Sequence, residues 1–84
     1  MAYAELLDTD MSTWCPITLH YKVTDGDQVS YLAVTRVSFV TAAGRVEAFA
    51  CDETGLATSL APLWAIDGDV GHNDALVAAG YTVS

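Results

Sequence analysis

From Pro16 onward, apolar and polar residues take turns along the chain. Ile17, Leu19, Tyr21 and Val23 alternate with Thr18, His20, Lys22 and Thr24. Successive side chains of a strand point to opposite faces, so this run predicts a strand with one face on a core and one in water, His20 on the watery side. Asp25-Gly26-Asp27 interrupts it, and Asp-Gly between two β-rich runs signals a hairpin because glycine accepts a positive φ. The second run, Gln28 to Thr41, is rich in β-branched and aromatic residues. Val29, Tyr31, Ala33, Thr35, Val37 and Phe39 share one parity, while Leu32, Val34 and Val40 take the other. Such a strand is either covered on both faces along part of its length or carries a bulge. Ala42-Ala43-Gly44 forms a second turn, with Gly44 as its left-handed residue. Arg45 to Cys51 then sets Val46, Ala48 and Ala50 against Glu47, Phe49 and Cys51. Strands joined by turns this short run antiparallel, so residues 16–51 read as a β-meander.

The flanks are less regular. Residues 1–14 show no sustained period and read as a loose N-terminal arm, with a short helical turn around Ala2 to Leu7 as the other option. Residues 56–66 fit a short helical turn with Pro62 in its first turn, or a strand over Leu63 to Ile66; the helical turn is the preferred reading. After the loop Asp67 to Gly71, the stretch His72 to Ala79 predicts a helix. Asn73 or Asp74 lies near its positive N-terminus and Gly80 takes the C′ position. Tyr81-Thr82-Val83 is a last extended piece able to join a sheet edge, so residues 72–83 make a helix and terminal strand. The whole is one α+β domain spanning 1–84: a three- to four-stranded antiparallel β-meander packed against a short C-terminal helix. An open edge and the uncovered parity of the second strand leave room for a homodimer.

Composition narrows the function. The 84 residues are 52% hydrophobic, with three basic residues against eleven acidic ones and a net charge of −8. That much apolar content excludes intrinsic disorder. Lys22, Arg36 and Arg45 are too few to neutralise a phosphate backbone, so no direct nucleic-acid binding is expected. Nor can they supply the basic face of a membrane-surface helix. The first residues lack a basic segment followed by an apolar one, and the longest apolar run, Leu60 to Ile66, falls far short of the roughly 20 residues a spanning helix needs. The expected location is the cytoplasm, without a membrane partner. Cys15 and Cys51 fit that compartment as two thiols, and their spacing also permits one bridge.

Each cluster able to carry chemistry has a plainer structural explanation. Asp67-Gly68-Asp69-Val70-Gly71-His72-Asn73-Asp74 is dense in oxygen donors and resembles an EF-type calcium loop. The third acid is missing, however, Gly71 comes one place early, and Ala78 stands where the bidentate Glu belongs. A turn followed by a helix start explains the same residues. Cys15, Cys51, His20 and His72 are possible zinc ligands, but no pair shows zinc-site spacing. The chain has neither a G-x-S-x-G elbow nor a glycine-rich phosphate loop. The expectation is therefore a non-enzymatic protein with no catalytic, cofactor-binding or metal residues. Acidity alone could serve a decoy that mimics a phosphate backbone. Yet Asp25, Asp27, Asp52, Glu53, Asp67 and Asp69 fall at predicted turns and form no row, so solubility explains them better. The candidate partner-binding residues are Trp64, Leu63, Trp14 and Tyr81, since aromatic residues dominate binding hot spots. The plainer alternative is that Trp64 plugs the open sheet face.

The segments Leu60-Ala61-Pro62-Leu63, Ile66-Asp67-Gly68, His72, Ala75-Leu76 and Gly80-Tyr81-Thr82-Val83 sit in an Ala/Val/Thr/Asp-rich, Lys-poor chain. In these features the C-terminal third is similar to small acidic accessory proteins of actinobacterial phages. The resemblance implies a phage protein of unassigned function that binds and modulates a bacterial host protein, and it carries over no functional residue. The alternatives are a self-associating structural or accessory protein, and the acidic decoy for a DNA-binding protein.

Overall fold

The computed structural model describes residues 2–11, 17–37, 44–59, 61–68 and 70–83. Six strands and one helix follow in the order β1 (Ala2–Leu6), β2 (Thr18–Asp25), β3 (Gln28–Val37), β4 (Arg45–Cys51), β5 (Trp64–Asp67), α1 (His72–Ala78) and β6 (Thr82–Val83). They form a single sheet in the order β5-β4-β3-β2-β1-β6. All neighbours are antiparallel except β1 and β6, which pair in parallel through Tyr3↔Thr82 and Ala4↔Val83.

The central meander has the predicted strands. Asp25 pairs with Gln28 across a two-residue loop, and Gly26 adopts φ 61° while Asp27 keeps a negative φ. That combination is a type II′ turn, whose twist matches the strands it joins. The second predicted turn and the end of the second run, residues 38–43, lie outside the described residues.

Three expectations are corrected. The arm read as loose is strand β1, because Ala2, Ala4 and Leu6 alternate with Tyr3 and Glu5, and β2 and β6 pair it on both sides. The segment preferred as a helical turn instead yields β5. Pro62 ends the irregular stretch, and Trp64 to Asp67 align along β4 through Ala48↔Trp64 and Val46↔Ile66. With β1, β5 and β6 added to the meander, the sheet has six strands rather than three or four.

The sheet curls into a half-barrel. In a flat sheet of this order, β5 and β6 would stand five spacings apart, about 24 Å at the usual interstrand distance. Yet the ring of Trp64, on β5, lies 6.0 Å from that of Tyr81, the residue before β6. Helix α1 packs into the concavity. Seven residues are too few for a helix to persist alone in water, so α1 depends on burying Ala75 and Leu76. It ends at Gly80, with φ 100° at the predicted C′ position. The Gly80 and Tyr81 N–H groups donate to the carbonyls of Val77 and Leu76, the paired bonds of a Schellman motif. Its first turn lacks a side-chain cap: Gly71 occupies the N-cap, and the Asn73 side chain is engaged elsewhere.

The inner face holds the main core, with Ala4, Tyr21, Leu32, Val34, Val46, Ala48 and Leu76 buried together. A second, smaller cluster of Met11, Ala33 and Cys51, with Tyr31 against it, lies on the outer face. The double parity read in the second run thus reflects real cover on both sides of β3. Parity alone misplaces His20, which is 1% exposed rather than in water, because the segments after β1 and after β4 fold over that face.

Candidate functional site

Of the four candidate partner-binding residues, the fold brings two together. Trp64 and Tyr81 are half-buried against the core, and the indole N–H of Trp64 donates to the Tyr81 hydroxyl at 3.3 Å. Their rings, 6.0 Å apart, join the two edges of the half-barrel, and both side chains pack against the core. Leu63, beside them, stays 58% exposed, and its N–H donates to the Ala48 carbonyl at 2.7 Å. Trp14 lies outside the described residues.

The residues with metal-binding chemistry are dispersed. Asp67 and Asp74 are exposed and Asp69 lies outside the described residues; Asp67 Oδ1 sits 3.7 Å from Arg45 Nε. Among the described residues no three His, Cys, Asp or Glu side chains group around a common point. His72 starts α1 at the surface, with Nε2 3.4 Å from the Ile17 carbonyl, whereas His20 is buried on the other face of the sheet. Cys15 lies outside the described residues.

His20 organises the outer cluster. Its Nε2 donates to the Asp52 carbonyl at 3.1 Å, since a carbonyl oxygen can only accept. In the neutral ring Nδ1 then accepts from the Thr9 hydroxyl, at 2.8 Å. One imidazole thus ties the segment after β1 to the segment after β4. The latter is tightly wound. Asp52 Oδ1 accepts from the Thr54 hydroxyl at 2.6 Å and from the N–H groups of Thr54 and Leu56 at 2.9 and 3.0 Å. Those bonds, the Thr54 hydroxyl foremost, hold the Asp52 carboxyl below the usual carboxylate range. Gly55, at φ 92°, lies so close to Met11 that a Cβ there would stand 2.7 Å from its sulfur. Cys51 is a free, buried thiol pushed up to about 11, first by burial and then by the Asp52 carboxylate. At neutral pH it stays protonated, a poor nucleophile and metal ligand. The cluster is suited to holding two segments in place.

The open feature lies on the opposite face of the sheet, where β1 and β2 meet the start of α1. A cleft of about 300 Å³ is floored by Leu6, Leu19 and Tyr21 and rimmed by Gly71, His72, Asn73 and Asp74. The buried Tyr21 hydroxyl donates to Asn73 Oδ1 at 2.9 Å, fixing the rim to the floor. Burial also raises the Tyr21 phenol above its ordinary range. Leu6 is 52% exposed. Ile17, 70% exposed, stands nearby, its carbonyl 3.4 Å from Nε2 of the rim residue His72. Sequence reasoning missed this site because its residues come from three separated segments. No local signal marked it, since Ile17 reads as one of the core-facing residues of its strand and Leu6 falls in a segment without a sustained period.

These features define a small half-barrel whose interior is stoppered by a helix and which carries an open, apolar-floored cleft. A model described as a family of unknown function (DUF7572) matches residues 2–82, and the chain belongs to that family. No curated protein and no solved structure matches it. Among the described residues, no helix is long and apolar enough to cross a membrane.

Proposed function

We propose that this chain is a non-enzymatic docking module that binds and modulates a larger protein, the partner being a bacterial host protein in the cytoplasm, as the phage resemblance implies. The observation that carries the reading is the cleft where β1 and β2 meet the start of α1. It offers an apolar floor with Leu6 half-exposed, the exposed Ile17 next to the rim residue His72, and a rim held by the Tyr21–Asn73 bond. Buried apolar anchors dominate binding energy, and a concave apolar site flanked by polar groups suits one large side chain of a partner. The net charge of −8 steers encounter toward basic surfaces and discourages self-association.

The test is affinity capture from bacterial lysate with the wild-type chain and with Leu6→Asp and Ile17→Ser, each first checked for an unchanged unfolding midpoint. A partner held by the wild type at moderate salt should be lost at least about tenfold in both variants. Equal retention by the variants, or no specific partner at all, overturns the reading.

A further inference from the structure

The β5 edge presents a second surface, distinct from the cleft. The Gly68 N–H donates to the Gly44 carbonyl at 2.8 Å, and this bond sets the phase of the β4–β5 ladder. In an antiparallel ladder, bonded and non-bonded pairs alternate, so Trp64 and Ile66 exchange bonds with Ala48 and Val46. Ala65 and Asp67 therefore turn their N–H and C=O groups away from β4. As β5 ends the sheet, no strand among the described residues meets them there. On the opposite side, β6 forms an edge of two residues. Beside the β5 edge stand the exposed Leu63 and the Asp67 carboxylate, whose side chain is 93% exposed. The cation at hand, Arg45, is shared between Glu47 at 3.8 Å and Asp67 at 3.7 Å.

We infer that the outer edge of β5 takes an extended, lysine- or arginine-bearing segment of another protein, which pairs antiparallel with Ala65 and Asp67 and extends the sheet. This rests on the docking-module reading and names a surface and partner chemistry for it. Charge selects the occupant. The chain has eleven acids against three cations, and Asp67 projects at the edge, so a basic residue opposite Asp67 is favoured and an acidic one opposed. A second copy is a poor occupant, because it would bring −8 against −8 over an edge of only four residues. Stable protein interfaces engage roughly 20 to 30 residues a side. Strand addition to an edge draws its affinity from main-chain hydrogen bonds and its specificity from flanking side chains.

The experiment follows backbone amide exchange by NMR while titrating a ten-residue peptide of alternating lysine and valine. Controls are the same peptide with glutamate for lysine, and with alternate backbone nitrogens methylated. Exchange at Ala65 and Asp67 should slow at least about tenfold with the lysine peptide, less at high salt, and not at all with either control. Ala65→Pro removes an outward N–H without touching the bonds to β4, so it should fold and lose the protection. The methylated peptide makes the same test without any variant. Unprotected Ala65 and Asp67, or equal protection by the glutamate peptide, overturns the inference. So does protection that rises with protein concentration before any peptide is added, which identifies a second copy. Loss of edge binding alongside intact, Leu6-dependent capture from lysate leaves the cleft reading standing and removes only this surface.

Discussion

On the inner face of β3, Leu32 and Val34 join a cluster with Tyr21, Val46 and Leu76. On the outer face of the same strand, Ala33 and Tyr31 join Met11 and Cys51, with the His20 ring 5.6 Å from that of Tyr31. The inner cluster is apolar volume drawn from four strands and a helix, and its cohesion is non-directional. The outer one is closed by two irregular segments that reach it through a few directed contacts: the two nitrogens of His20, the Asp52 turn and the Met11–Gly55 approach. Apolar volume is shared by every element it touches, so its loss is felt everywhere. A directed bond belongs to two groups, so its loss should stay local.

The largest test of that contrast is Leu76→Ala. Leu76 is fully buried and anchors α1 in the half-barrel, so its truncation should cost about 2 to 4 kcal/mol. For a domain this small that is a large share of the total stability. The urea midpoint should fall and amide protection should drop across β2, β3 and β4 together. Protection lost in α1 alone would mean that the helix is a lid on a sheet that stands without it.

His20→Phe probes the outer face. It keeps a ring of similar reach but leaves the Asp52 carbonyl and the Thr9 hydroxyl without their partner, at a cost of about 1 to 3 kcal/mol. Amide exchange should quicken at residues 7–11 and 52–56, while α1 and β4 keep their protection. A uniform loss over the whole chain would place His20 in the same cooperative unit as Leu76 and dissolve the distinction between the faces.

How much of this was legible beforehand follows the range of the interactions. The hairpin at Gly26, the antiparallel meander and the C′ role of Gly80 are local and were readable from residue order alone, whereas the II′ type of the turn came from the backbone. The strand Ala2 to Leu6 was not, because five residues of weak alternation become a strand only when β2 and β6 flank them. His20 defeated parity for a related reason: alternation says which face a side chain takes, not what later folds over it. Trp64 and Tyr81 were picked out for their aromatic character, yet nothing in their spacing reveals that a curled sheet brings its edges within ring contact. The cleft shares that origin, being made where β1, β2 and α1 converge.

The smallest effect separates the faces by pH. Burial raises Cys51, on the outer face, from 9.0 to about 11 and raises Tyr21, on the inner face, above its ordinary 10.0. In each case the folded chain keeps a proton that the unfolded chain has released. The stabilisation is therefore whole below the unfolded value and is lost as pH climbs toward the folded one. For Cys51 the loss starts near pH 9.0 and reaches about 1 kcal/mol by about pH 10; for Tyr21 it starts only near 10.0. Urea midpoints across the alkaline range should accordingly decline in two stages. Cys51→Ala should flatten the first stage and leave the second, because it removes the titrating thiol of the outer cluster and leaves the Tyr21–Asn73 bond intact. A first stage that persists without the thiol would show that the outer cluster does not hold its proton against solvent, and that the segments His20 ties down open well before the core does.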